Sequence, residues 1–301
     1  MSAAAEFNPA QSGTDNARRI FHYQISNARK RVKDNKLSDE DIHRARKNIK
    51  AARTALRLLR DALPIEAYRR YNRLVRDTAR PLSRVRDCRA LIDALQALLR
   101  HDNAAKYRRA FGRLDSSLHR EWTETKLNAL KNPRGLELVR QLLGLLHKEA
   151  SRWPVGRDDW SVVGRGLQRV YARGRSCLAK SRTNPSVTRL HDWRKQAKYL
   201  HYQLKFLQPI WREPIKELAH QLHELTDDLG EYHDLAALAK KALQCPGDFS
   251  GSAKRGVLLR LIKTSQNRLL RKSLSLGNLI YCEKPARFAA RIGAYWHEWR
   301  N

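Results

Sequence analysis

The chain repeats itself, and that limits its folds more than any other feature. Ile42-His43-Arg44-Ala45-Arg46-Lys47 returns 148 residues later as Leu190-His191-Asp192-Trp193-Arg194-Lys195. At the same offset Lys50 matches Lys198, Leu56 matches Leu204, Arg57 matches Lys205 and Leu59 matches Leu207. At an offset of 147, Leu82 pairs with Leu229, Asp87 with Asp234 and Leu91 with Leu238; upstream, Ile20 and Tyr23 pair with Leu167 and Val170. Long-period self-similarity means two related units solving the same packing problem. Period-2 runs of β-branched residues do not occur, and Gly and Pro fall mainly between stretches of helical periodicity, so the fold class is all-α.

The pattern predicts helices over 16–33, 39–61, 65–80, 82–100, 104–130, 134–150, 158–181, 186–208, 212–229, 231–243, 254–276 and 284–300. Ser38-Asp39-Glu40-Asp41 supplies a capping residue and acidic charge for one start, and Pro64 and Pro185-Ser186 mark two others. Residues 1–15 read as a disordered tail, 16–152 as a first helical-bundle half and 157–301 as a second, with Trp153-Pro154-Val155-Gly156 between them. Two such halves are expected to pack about a pseudo-twofold axis.

One helix carries two stripes. Ile42, Ala45, Ile49, Ala52, Leu56 and Leu59 step 3-4-3-4-3, as a bundle core requires. His43, Arg46, Lys50, Arg53, Arg57 and Arg60 take the same steps one residue later, about 100° around the helix, and Lys47 widens that stripe. The second copy does likewise. Leu190, Trp193, Ala197, Leu200, Leu204 and Leu207 face the core; His191, Arg194, Lys198, His201 and Lys205, with Lys195 beside them, form the basic stripe. Arg69, Arg73, Arg76 and Arg80 line one face of the next helix, and their counterparts are Lys216, His220, His223 and Asp227.

Like charges at such spacings repel by a few tenths of a kcal/mol per pair. A merely solvated face mixes signs and avoids that cost. An aligned row of cations suits a linear polyanion instead, with Arg forking onto phosphate oxygens and Lys adding compact charge. Composition agrees: 61 Lys and Arg against 30 Asp and Glu leave a net charge of +31, which a bound anion would compensate.

The twice-occurring His-x-x-Arg-Lys-x-x-x-Lys helix resembles the CHAD family, the conserved histidine α-helical domain. Leu82-Ser83-Arg84-Val85-Arg86-Asp87, Leu229-Gly230-Glu231-Tyr232-His233-Asp234 and the end from Lys284-Pro285-Ala286-Arg287-Phe288 through Trp296 are similar to further family segments. The resemblance covers about 17–300. It implies two four-helix bundles with pseudo-twofold symmetry, a basic central cavity, binding of inorganic polyphosphate and association with polyphosphate granules. It also implies a ligand set of His43, Arg46, Lys47, Lys50, Arg53, Arg57, His191, Arg194, Lys195, Lys198 and Lys205. His233 stands where the first copy has Arg86, and His201 where it has Arg53. The Glu-x-Glu-x-Lys signature of the CYTH domain often fused to this one is absent, so a stand-alone member is implied.

Other classes fit less well. Charge alone suits nonspecific binding of nucleic-acid backbone, which stays open as the alternative. The basic stripes carry no interleaved aromatic for base stacking, and no zinc-finger, RNP or basic-zipper pattern occurs. A metal-dependent phosphohydrolase needs converging His and Asp. His101-Asp102, His191-Asp192 and His233-Asp234 are only adjacent pairs, and His220 and His223 lack an accompanying carboxylate motif, so no metal, cofactor or catalysis is expected. His43 and His191 each follow an apolar core position; such an imidazole is either structural or a phosphate donor, and its recurrence favours ligand contact. Asp87 and Asp234 are expected to orient an Arg through a salt bridge. Cys88, Cys177, Cys245 and Cys282 lie far apart, without metal or disulfide spacing, which is compatible with a reducing compartment. The amino-terminal stretch has no apolar signal core and no segment is apolar enough to span a bilayer, so the cytoplasm is expected and a membrane partner is not.

Overall fold

Short polar side chains start several of the helices. Ser12 Oγ accepts the Asp15 N–H at 2.9 Å. Ser38 and Asp41 form a reciprocal capping box, with Ser38 Oγ accepting the Asp41 N–H at 3.0 Å and Asp41 Oδ2 accepting the Ser38 N–H at 3.3 Å. Ser186 Oγ accepts the Arg189 N–H at 3.3 Å. The computed structural model describes residues 3–34, 37–100, 105–131, 133–153, 160–249 and 251–301. In those residues lie α1 (Gly13–Arg31), α2 (Asp39–Leu58), α3 (Ile65–Ala79), α4 (Ser83–Leu98), α5 (Gly112–Lys131), α6 (Pro133–Ala150), α7 (Trp160–Thr183), α8 (Val187–Leu207), α9 (Arg212–Gln244), α10 (Ser252–Ile280) and α11 (Pro285–Arg300). No strand occurs among the described residues.

Both apolar stripes are buried along their whole length, on α2 from Ile42 to Leu59 and on α8 from Leu190 to Leu207. Helix α2 packs on α1, α3, α7 and α8, and α8 packs on α7 and α9. The main core is continuous through α1, α2, α3, the start of α4, α6, α7, α8, the start of α9, the end of α10, and α11. A second cluster joins Ile92 and Leu95 of α4, Leu114 and Leu118 of α5, Leu235 and Leu238 of α9, and Leu258 and Ile262 of α10. The buried residues therefore do not separate into one core per half at 152/157. Pro154, Val155 and Gly156 of the expected boundary lie outside the described residues. At the α7–α2 crossing, a Cβ on Gly166 would come within 2.8 Å of Leu58 Cα, so the two backbones touch because position 166 has no side chain.

Two expectations are corrected. The tail over 1–15 is expected to be disordered, yet its described residues are packed. Ala5 and Phe7 are buried, the Phe7 N–H donates to the Phe206 carbonyl at 2.8 Å, and Phe7 meets the Trp296 ring edge-on. Buried Asn16 fastens the segment, accepting the Asn8 N–H at 2.7 Å and donating to the Asn8 and Gln11 carbonyls. The predicted pair 212–229 and 231–243 is one helix, α9. In the first copy Arg80-Pro81-Leu82 separates α3 from α4, because proline removes a donor and crowds the preceding turn. Its counterpart is Asp228, so the second copy continues through Gly230.

Candidate functional site

Helices α2, α3 and α8 enclose an open cleft of about 480 Å³. Lys50 and Arg53 enter it from α2, Arg76 from α3 with Arg80, the residue that caps it, and His191, Arg194, Lys195 and Lys198 from α8; Ile49, Val75, Tyr199 and Tyr202 form its apolar lining. The cleft exists because each basic stripe borders a core stripe. Packing α2 against α8 to bury the apolar rows brings the neighbouring cationic rows together.

Neutral partners hold several cations of the two basic stripes, in the cleft and beside it. Arg46 Nη1 donates to Ser83 Oγ at 2.5 Å and points at the Ala79 carbonyl, 3.5 Å away. At the repeat-related position Arg194 Nε donates to the Thr226 carbonyl at 3.1 Å. Ala79 and Thr226 correspond at the offset of 147, so the contact itself is repeated. The Arg194 guanidinium lies on the backbone at Gly230, where a Cβ would stand 3.0 Å from Nε. Lys198 Nζ donates to Thr226 Oγ1 at 3.3 Å, Arg53 Nε donates to Asn72 Oδ1 at 2.9 Å, and the Arg57 guanidinium lies 4.0 Å from the Tyr199 ring centroid. Among the described residues no carboxylate lies within 4.0 Å of the charged groups of Arg46, Lys50, Arg53, Arg57, Arg194, Lys198 or Lys205.

The consequence is a positive potential that nearby acids relieve only in part. Lys50 is open to the cleft but crowded by its walls; desolvation, then Arg46, Arg194 and Lys198, push its ammonium down to about 8. Lys198 is lowered by burial and by Arg194, Lys47 and Lys205, with Asp227 opposing, and Lys205 by burial and Lys47. Burial also lowers Arg46 and Arg53, which stay charged as guanidinium groups do. Asp87 draws on Arg46 and Lys50. Asp234 is raised by burial, against the pull of Arg194 and His233. Among the described residues neither acid forms the expected salt bridge within 4.0 Å; each acts on its arginine through space.

The remaining predicted residues divide. Lys47 lies in a groove between α1 and α2 with Lys30, Arg31 and Arg44. His43 is exposed and lines that groove and a small pocket with Arg86, Arg89 and Trp122, outside the α2–α3–α8 cleft. His191 does line the cleft; its ring centroid lies 4.5 Å from that of His233 with the planes tilted by 33°, and burial followed by His233 pushes it down to about 4. His201 is a correction. It is 5% exposed, its Nδ1 lies 2.8 Å from the Ala219 carbonyl, and burial pushes it down to about 3, so it is a core imidazole. Arg69 and Arg73 are exposed on α3 away from the cleft lining, and Arg69 pairs with Glu66. Lys216, His220 and His223 lie exposed on α9, beside Glu213, Glu224 and Asp227 respectively. Lys195 and Arg76 reach the cleft but have carboxylate neighbours, Asp192 and Asp77.

Tyr199, Asn72 and Thr226 are site residues that the stripes do not reveal. Tyr199 lies beside the basic row of α8, and its ring receives a cation from the other repeat. Among the described residues no group of three or more His, Cys, Asp or Glu is arranged to hold a metal ion. His101 and Asp102 lie outside the described residues.

Fold and site thus define an all-helical protein in which two copies of one basic helix meet at a cation-lined cleft. The CHAD domain family model matches residues 19–243, and the chain belongs to the CHAD family. The crystal structure of the CHAD domain from the plant Ricinus communis superposes with a TM-score of 0.60 at 16% identity, over 98% of this chain and 95% of that one, and shows the same fold. No curated protein sequence matches. No helix among the described residues is long and apolar enough to cross a membrane.

Proposed function

We propose that this chain binds inorganic polyphosphate in the α2–α3–α8 cleft, as a binding protein and not an enzyme, and that it associates with polyphosphate granules in the cytoplasm. One observation carries the reading: cations from both sequence copies meet in one cleft, and Arg53, Arg194 and Lys198 there are held by amide, carbonyl and hydroxyl partners, with no carboxylate within 4.0 Å among the described residues. A chain of phosphates with one anionic oxygen or more per unit supplies that compensation along a line, and charge-assisted hydrogen bonds from Arg46, Arg53 and Arg194 set its path. Membership in a family associated with polyphosphate binding supports the same ligand.

The test is a titration with long-chain polyphosphate, single-stranded and duplex nucleic acids at two salt concentrations, near and above physiological. Charge-only binding weakens steeply with salt for every polyanion alike. Polyphosphate is expected to stay tightly bound where nucleic acids are lost, and Arg46→Glu combined with Arg194→Glu is expected to abolish its binding. Parallel loss of all ligands with salt would reduce the cleft to a general polyanion surface and favour nucleic-acid backbone equally.

A further inference from the structure

Lys50 stands apart from its neighbours. Arg46, Arg53, Arg194 and Lys198 are each tethered by a neutral acceptor, whereas the Lys50 ammonium has no hydrogen-bond or ion-pair partner among the described residues. It is exposed to the cleft, with Arg46, Arg194 and Lys198 near enough to act against its charge and Asp87 acting in its favour. An untethered amine in one cleft with Arg53 and Arg194 has what a nucleophile needs to attack a small phosphate-bearing electrophile: the arginines hold the phosphate and the amine is free to move.

We propose that Lys50 is a site of covalent acylation by small acyl phosphates, which the cleft recruits through their phosphate group. The Lys50 Nζ lone pair forms a bond to the acyl carbon, the carbon–oxygen bond to phosphate breaks, and inorganic phosphate leaves with that electron pair. The proton shed by nitrogen passes to solvent. The product is an uncharged amide at the centre of the cation cluster, so the modification removes one positive charge from the surface that attracts a polyanion. The proposal rests on the reading of the cleft as a phosphate-binding surface.

The lowered Lys50 ammonium, at about 8, supports the chemistry. At pH 7.5 roughly a quarter of such an amine is neutral, against about one part in a thousand for an ordinary lysine. A less basic nucleophile is also weaker, by about tenfold if amines follow the coefficient of about 0.4 known for thiols. The net gain is about 20-fold.

The experiment incubates the full chain with acetyl phosphate at pH 7.5 and follows acetylation of each lysine by mass spectrometry. Lys50 is expected to react about 20-fold faster than the exposed Lys33 and Lys240, and excess pyrophosphate is expected to slow Lys50 selectively. An uncharged acetylating ester is expected to prefer Lys50 less than acetyl phosphate does. Reaction of Lys50 no faster than the exposed lysines overturns the proposal, and so does an equal preference with the uncharged ester. Polyphosphate affinity is measured on the same preparation: tight binding with unselective acetylation sinks this proposal alone, and selective acetylation without tight binding sinks the proposed function alone.

Discussion

Replacing Lys50 with Gln should stabilise the free protein while weakening its hold on polyphosphate. The ammonium sits among Arg46, Arg194 and Lys198, and a drop from 10.5 to about 8 corresponds to at most about 3 kcal/mol against the charged form. The side chain is open to the cleft, so solvent screening cuts this to about 1 kcal/mol. The sign follows from proton counts. Below about pH 8 Lys50 is protonated in both folded and unfolded chains and the penalty is fully present; between about 8 and 10.5 the folded chain holds fewer protons, so stability rises with pH. Lys50→Gln should therefore raise Tm by about 2–4 °C at pH 7 and flatten the rise between pH 8 and 10.5. Polyphosphate affinity should fall about tenfold, the scale of one charge-assisted contact. Thermal melts followed by circular dichroism from pH 7 to 10.5, with calorimetric titration of polyphosphate, measure all three. A lower Tm together with unchanged affinity would refute the argument that these cations repel one another until an anion arrives.

Two other outcomes are expected. His201→Leu should leave polyphosphate affinity near neutral pH unchanged; because the folded imidazole is pushed down to about 3, the wild-type chain loses stability as pH falls from about 6.5 toward 3, and melts of the variant should lack that portion of the loss. Gly230→Ala changes no charge but sets a methyl 3.0 Å from Arg194 Nε, so the guanidinium must lift; affinity should fall a few-fold while Tm holds or rises by a few degrees from the better helix former, as a melt and a titration of the same sample would report.

How far the site could be read from the chain differs residue by residue. The core and basic rows of α2 and α8 were legible because one residue of shift is a fixed rotation, and a strongly apolar row has only one place to go. His201 obeyed the same spacing yet is buried: a row beside the core is solvent-facing only as far as the neighbouring helix permits, and α9 closes over it with the Ala219 carbonyl. Lys216, His220 and His223 inherited a role from α3 by offset, although Glu213, Glu224 and Asp227 at helical spacing already assigned them local partners. Tyr199 could not be found, since its significance lies in Arg57 of the other copy. The packed stretch before α1 was hidden for a similar reason, as Phe7 is held by Phe206 and Trp296, far along the chain.

The contact of Gly166 with Leu58 has a mechanical consequence. Helix α2 is a wall of the cleft on one face and touches the α7 backbone where no side chain can cushion the join. The cleft therefore has little freedom to widen by tilting that wall, because a tilt would drive backbone into backbone and disturb a core shared by ten helices. Adjustment to a flexible guest falls to the long side chains of Lys and Arg, which turn through rotamers at small cost. The receptor is stiff in its main chain and compliant at its tips, a combination suited to gripping a polymer that presents the same charge in many shapes.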